Sequence, residues 1–184
     1  TSRASSGLFA NLADSAYIHD LTIAGNVAST YKHAAGLSGF VRTRTKENGK
    51  TLIRIVNCKN KASVSGDNYM GGLIGWIDNT NKANSIAVEN CSNEGTVTGK
   101  NLYVGGIVGN ASWANFVKCE NSGSVKSSVF VGGIAGYSYM GSILDCKNSG
   151  SITATATAGY FYSVRKWSGN KTTWNADYPG GAAG

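Results

Sequence analysis

The sequence predicts an all-β chain wound as a β-solenoid of five coils. Three observations carry this reading. A glycine motif recurs along the chain, a second block follows it at near-constant distance, and no segment keeps helical periodicity over three turns. The motif is clearest in Met70-Gly71-Gly72-Leu73-Ile74-Gly75, Val104-Gly105-Gly106-Ile107-Val108-Gly109 and Val131-Gly132-Gly133-Ile134-Ala135-Gly136. Ala35-Gly36-Leu37-Ser38-Gly39 and Gly7-Leu8-Phe9-Ala10 are degraded copies. The second block begins at Cys58, Cys91, Cys119 and Cys146, as in Cys119-Glu120-Asn121-Ser122-Gly123-Ser124-Val125, and Leu21 takes the cysteine slot in the first repeat.

Composition agrees. Of 184 residues 25 are glycine and 18 asparagine, Pro179 is the single proline, and only 15% are charged. Disorder needs low hydrophobicity with high charge, and 41% hydrophobic residues argue against it. Collagen needs glycine at every third position, which is absent. No apolar run approaches the ~20 residues of a membrane helix. The net charge of +7 permits an anionic partner without requiring one, and nothing in the pattern points to nucleic acid. Starting at Thr1 without a leader, the chain reads as a mature or excised piece of a longer one.

From Gly106 to Gly133 the repeat unit is 27 residues, short for a propeller blade and suited to one coil. Each unit holds three short β-prone runs, which predicts a three-sided coil, with right-handed winding as the general rule for parallel crossovers. Stacked coils place equivalent residues above one another at the ~4.8 Å strand spacing. An apolar residue sits three before the cysteine slot in every repeat (Ile18, Ile55, Val88, Phe116 and Ile143), and Val27, Val64, Val97, Val125 and Ile152, six after it, fall on the core. Asn60, Asn93, Asn121 and Asn148 form an amide ladder. Gly25, Gly95, Gly123 and Gly150 are expected to supply a positive φ at a turn. The solenoid spans residues 7–158. Residues 159–184, with Tyr160, Phe161, Tyr162, Trp167, Trp174 and Tyr178, are expected to form a C-terminal cap over the open end.

The arc from the cysteine slot to the next motif glycine is nearly constant, at 15, 14, 15 and 14 residues. The other arc, from the motif's last position to the cysteine slot, runs 11, 19, 16, 10 and 10 residues. Repeats two and three therefore carry all the inserted length in one turn, and stacking makes the two loops neighbours.

The motif Gly-Leu-Ile-Gly at 72–75, with its variants at 106–109 and 133–136, resembles the GLUG repeats of bacterial surface proteins over about residues 7–158. The resemblance implies β-solenoid spacers or adhesive segments of secreted proteins, which also occur outside the protease domain of IgA-cleaving metallopeptidases. It implies no catalytic residues. The first repeat departs from the pattern, with Ala10 for the last glycine and neither Cys nor Asn in its second block.

The cysteines lie 33, 28 and 27 residues apart, a spacing the repeat explains and a metal site does not need. They are expected to be buried free thiols. His19 sits in a strand-like run near Asp14 and Asp20, and His33 in a connection. These give no zinc trio and no catalytic triad. Within 42–61, Arg42, Arg44, Lys46, Lys50, Arg54, Lys59 and Lys61 face only Glu47 in sequence, which suggests an anion-binding lobe. Trp76, Trp113, Tyr137 and Tyr139 are expected in the variable turn, where they could stack on sugar rings. Asp78, Asn79, Asn81, Asn84 and Asn110 would supply hydrogen bonds. The reading is a non-catalytic binding, adhesion or spacer module, secreted or on a bacterial cell surface. Its partner would be an acidic glycan or a surface protein, and no cofactor is implied. The competing reading is a carbohydrate-active lyase or hydrolase with dispersed carboxylates, which is fold-level analogy.

Overall fold

In a computed structural model the described residues are 4–30, 32–43, 51–79, 85–156, 164–168 and 171–175, the last two by backbone alone. The chain forms five parallel sheets of five strands, each coil contributing one strand to every sheet in turn. The middle coil shows the order: Met70–Gly71 in sheet A, Ile74–Asp78 in sheet B, Ser85–Glu89 in sheet C, Ser92–Asn93 in sheet D and Val97–Gly99 in sheet E. Register joins equivalent positions throughout, for example Val64 to Val97 to Val125 to Ile152 and Ile18 to Ile55. The five-coil β-solenoid is as expected. A separate antiparallel hairpin pairs Val164–Ser168 with Lys171–Asn175.

Five sides replace the three expected, because the β-prone runs are cut by single left-handed residues. The residue before the cysteine slot has φ near +50° in every coil: Asp20, Asn57, Asn90, Lys118 and Asp145. It turns the chain from sheet C into sheet D. Hydrogen bonding continues through the bend, as in Asn57 N to Glu89 O at 3.0 Å and Lys118 N to Leu144 O at 2.9 Å. Asn and Asp tolerate this conformation better than other non-glycine residues.

Two apolar cores fill the cross-section. The larger holds Leu37, Ile53, Ile55, Leu73, Ile74, Ile77, Val88, Ile107 and Phe116, under sheets B to D. The smaller holds Ala34, Val64, Met70, Val97, Val104, Val125 and Val131, between sheets A and E. The asparagine ladder and the motif glycines meet where the two adjoin. The amide Nδ2 of Asn60 donates to Asn93 Oδ1, Asn93 to Asn121 and Asn121 to Asn148, each at 2.7 Å. Each Nδ2 also donates to the carbonyl two residues on, at 2.8–2.9 Å. Across the interior, a Cβ on Gly36, Gly72, Gly106 or Gly133 would collide with the carboxamide of Asn60, Asn93, Asn121 or Asn148 respectively.

Gly95, Gly123 and Gly150 have a different role from the one expected. Gly25 alone among the described glycines is left-handed, with φ +102°. At the other three a Cβ would strike the backbone carbonyl of the coil below. Glycine is needed there for close approach and not for torsion.

The ladder predicts a specific stability pattern. Asn121→Ala strands a buried acceptor and a donor, and its loss should cost about 1–3 kcal/mol. Gly106→Ala pushes against Asn121 from the opposite wall and should cost about 3 kcal/mol. Because both act on one contact, chemical denaturation of the double variant should show a loss smaller than the sum of the single losses.

Candidate functional site

The variable turn is the corner between sheets B and C. Strand Ser38–Arg42 leads through it to Leu52–Val56, and Ile74–Asp78 leads through it to Ser85–Glu89. Both insertions enter here, as expected. Arg44, Lys46, Lys50, Asn81 and Asn84 lie in them, outside the described residues. In the fourth and fifth coils the same corner is tight and bends at Trp113 (φ +52°) and Met140 (φ +55°).

Several candidate side chains hold the corner together. Asn79 is buried, not open for a ligand. Thr43 Oγ1 donates to its Oδ1 at 2.7 Å, and its Nδ2 donates to the Trp113 carbonyl at 2.9 Å. This polar bridge links three successive coils at the loop bases. Arg42 Nε lies 3.7 Å from Asp78 Oδ2, so these two candidates form an ion pair across coils. Other cations of the basic run are paired too. Arg54 meets Glu89 at 2.9 Å, while Lys59 and Lys61 both approach Glu94, at 2.9 and 3.8 Å. The acids come from the next coil, more than thirty residues on, so Glu47 is not their only counter-charge.

Trp76, Tyr137 and Tyr139 lie within the sheet B strands and not in the turn. Trp76 is half-buried in an aromatic column that the sequence reading missed. His33, Tyr69, Tyr103 and Phe130 form a column along sheet A with ring centroids 5.1–5.3 Å apart, Tyr69, Tyr103 and Phe130 stacked and His33 tilted against Tyr69. Phe40, Trp76 and Tyr137 lean on them from sheet B, Trp76 lying 5.3 Å from Tyr69 at 18° and Tyr137 5.5 Å from Tyr103 edge-on. His33 is therefore a buried strand residue, not part of a connection. The signal was available: an aromatic or histidine stands three places before the first motif glycine that faces the asparagines, as in Tyr103-Val104-Gly105-Gly106. The last motif glycine makes the column possible, because a Cβ on Gly75 or Gly109 would press on the backbone of Tyr69 or Tyr103. Sheets A and B thus close upon each other on their outer sides, and the rings fill the angle.

Tyr69, Tyr103 and Phe130 are themselves left-handed, at φ +54°, +57° and +51°. That costs roughly 1–2 kcal/mol per residue. Aromatic pairs return about 0.5–1.5 kcal/mol each beyond burial, so a ring stacked on both sides offsets its strain. This generates an inverted expectation. Tyr103→Ala keeps the strain and loses both stacks, whereas Tyr103→Gly loses the stacks and the strain. Glycine should be the more stable variant by about 1 kcal/mol in denaturant titration, the reverse of the ordinary strand preference for alanine.

Tyr137 and Tyr139 are 42% and 48% exposed, and Trp113 is half-buried against Tyr139, edge-on at 6.4 Å. These three lie together where the outer face of sheet B meets the corner, and Arg42 lies three coils below Tyr139 on the same register column. Asn110 lies between Trp76 and Tyr137 in register.

The remaining candidates separate from this patch. His19 Nδ1 lies 2.8 Å from Asp20 Oδ2, and Asn57 Nδ2 donates to Asp20 Oδ1 at 3.1 Å, on the exposed bend between sheets C and D. Those two hydrogen bonds, His19 first, hold the Asp20 carboxyl below the usual range. On sheet D a groove of about 430 Å³ is lined by Glu94 and Glu120 with Lys59 and Lys147. The Lys59 hydrogen bond lowers the Glu94 pKa, so this carboxylate is a poor proton donor. Among the described residues no three His, Cys, Asp or Glu side chains are grouped to hold a metal ion.

All four cysteines are free thiols, Cys58, Cys91 and Cys119 buried and Cys146 half-buried. They do more than fill an apolar slot. The backbone N–H of Cys58 donates to Cys91 Sγ at 3.4 Å, and that of Cys119 to Cys146 Sγ at 3.3 Å. The thiols of Cys119 and Cys58, with burial, push the Cys91 pKa far up. Burial raises Cys146 as well. Alkylation in denaturant without reductant should therefore modify four thiols, and a mass corresponding to two modifications would show a disulfide.

The comparisons with known proteins agree with this architecture. The model of the GLUG motif matches residues 66–98 and 131–153. No curated protein sequence matches the chain. Among solved structures, the chain is similar to the crystal structure of a "putative immunoglobulin A1 protease" from Bacteroides ovatus, with a TM-score of 0.64 and 19% identity. The match covers 99% of this chain and 56% of that one, so the chain spans little more than half of its neighbour's length. At this identity the likeness is one of fold. The matched segments begin at Gly66 and Val131 and contain Gly72-Leu73-Ile74-Gly75 and Gly133-Ile134-Ala135-Gly136, the residues that close sheet A upon sheet B: the chain is a five-coil β-solenoid of which these two segments match the GLUG motif.

Proposed function

We propose that this chain is a non-catalytic, extracellular module of a bacterial surface protein, and that it binds an acidic glycan along the outer face of sheet B and its corner with sheet C. The observation that carries the reading is the group of exposed Tyr137 and Tyr139 with Trp113 in the fourth and fifth coils, at the same corner that receives both insertions and carries Arg42 in the coils below. The solenoid core gains nothing from these loops, and long loops on a rigid scaffold are where binding residues concentrate. Exposed aromatics supply stacking area for sugar rings. Arg42, with Arg44, Lys46 and Lys50 of the loop, favours sulfate, sialate or uronate groups. The GLUG repeats and the neighbour's name support an extracellular setting. That name also raises proteolysis, but it describes a chain nearly twice as long. The paired glutamates of the sheet D groove likewise favour a structural over a catalytic role.

A glycan array probed with the folded chain tests this. Acidic glycans should bind, and Tyr139→Ala and Arg42→Ala should each weaken binding about tenfold, the equivalent of about 1.4 kcal/mol. Raising salt should weaken it further, because exposed charges are screened beyond ~10 Å at 0.1 M. Binding unchanged in both variants would make the patch an edge cover, and no binding at all would leave a spacer.

A further inference from the structure

Among the described residues the upper end of the solenoid leaves its last coil open. Ile143 is 43% exposed, although its register partner Phe116 is fully buried. Ile134, Ala135, Cys146 and Ile152 are only partly buried, while Ile107, Val108, Cys119 and Val125 directly below them are at most 1% exposed. Among the described residues all five sheets end here on a parallel edge strand. The asparagine ladder also stops short. Asn60, Asn93 and Asn121 each spend both amide hydrogens, one on a carbonyl and one on the next asparagine. Asn148 donates to the Gly150 carbonyl, and among the described residues no further asparagine follows it in the ladder.

A second copy stacked end to end does not answer this need. Its first coil carries Ile23 at the ladder position, paired in register below Asn60, and an isoleucine accepts no hydrogen bond. We propose instead that residues 157–184 of the same chain dock on this end and cover it. The solenoid hands the chain over at this face: Thr155 and Ala156 are still hydrogen-bonded to Ser127 and Ser128 of the coil below, at 2.8 and 2.9 Å. The segment that follows supplies apolar area in Tyr160, Phe161, Tyr162, Trp167, Trp174 and Tyr178, and side-chain acceptors in Asn170 and Asn175. Its strands, Val164–Ser168 and Lys171–Asn175, pair with each other in antiparallel fashion, which ends the parallel stack and does not extend it. The inference is independent of any glycan.

Cys146 is the reporter, because it is the one cysteine at this end. In the full chain under native conditions, thiol alkylation at Cys146 should be slow and trypsin should cleave poorly at Arg165, Lys166 and Lys171. Ile143→Asp places a carboxylate in the docking face, and Trp174→Asp alters the segment while leaving the solenoid untouched. Each should raise Cys146 alkylation and trypsin cleavage at least about tenfold, with the far-ultraviolet circular dichroism of the solenoid retained. Rapid alkylation and cleavage in the unaltered chain would overturn the proposal. So would protection that disappears on dilution, which would mean that a second copy covers the end. If Ile143→Asp disturbs the fold, Trp174→Asp alone decides.

Discussion

The contact between the motif glycines and the asparagine ladder is the constraint on which the rest of this fold depends. Opposite walls of the coil approach until a carboxamide touches a backbone that can carry no side chain. This closeness divides the interior into two narrow cores, each filled by aliphatic side chains of ordinary size. It also buries the amides fully, at 0–1% exposure for Asn60, Asn93 and Asn121, so each must find partners along the stack. Only a parallel stack in strict register places an identical amide where the next one needs it. The ladder therefore fixes register as well as stability.

The same narrowing shapes the outer surface. Where the wall folds inward between sheets A and B, the outside of the solenoid acquires a re-entrant angle. The last motif glycine lets one backbone lie against the other, and the aromatic column fills what remains. The inner and outer glycines of Gly72-Leu73-Ile74-Gly75 thus serve opposite faces of one wall, with Leu73 and Ile74 held in the larger core between them. A motif that reads as a single unit in sequence performs three separable tasks.

Loop placement follows from this division. The arc from sheet C through E to the next motif is tied by the thiols, the ladder and the tight glycine approach, and it has almost constant length. The corner between sheets B and C carries neither the thiol column nor the asparagine ladder, its short form being tied by the Trp113 N–H to the Tyr139 carbonyl and by the close approach of Gly141 to Ala114, and it accepts insertions. What it then needs is a bridge at the loop bases, which Thr43, Asn79 and the Trp113 carbonyl provide. Polar residues that read as ligand contacts became structural for this reason. Tyr137 and Tyr139 belong to the fifth coil, the last of the described stack, and are 42% and 48% exposed.

The sequence by itself determined the repeat, the coil number, the ladder columns, the free thiols and the one corner that takes insertions. These all follow from periodicity, because stacking converts equal spacing into spatial contact. It did not determine the number of sides. Left-handed bends at Asp20, Asn57, Asn90, Lys118 and Asp145 are backbone torsions adopted by ordinary residues, and no composition signal marks Lys118 as one of them. Nor could it show that Gly95, Gly123 and Gly150 serve close approach, since a glycine looks alike in either role. Charge pairing was hidden too: Arg42 meets Asp78, and Arg54 meets Glu89, only when adjacent coils are superposed. Tertiary structure decided which aromatics were packed and which were open, because that depends on the facing wall and on the coil above. Trp76 has Tyr69 and His33 against it, whereas Tyr139 meets only the edge of Trp113 and is 48% exposed.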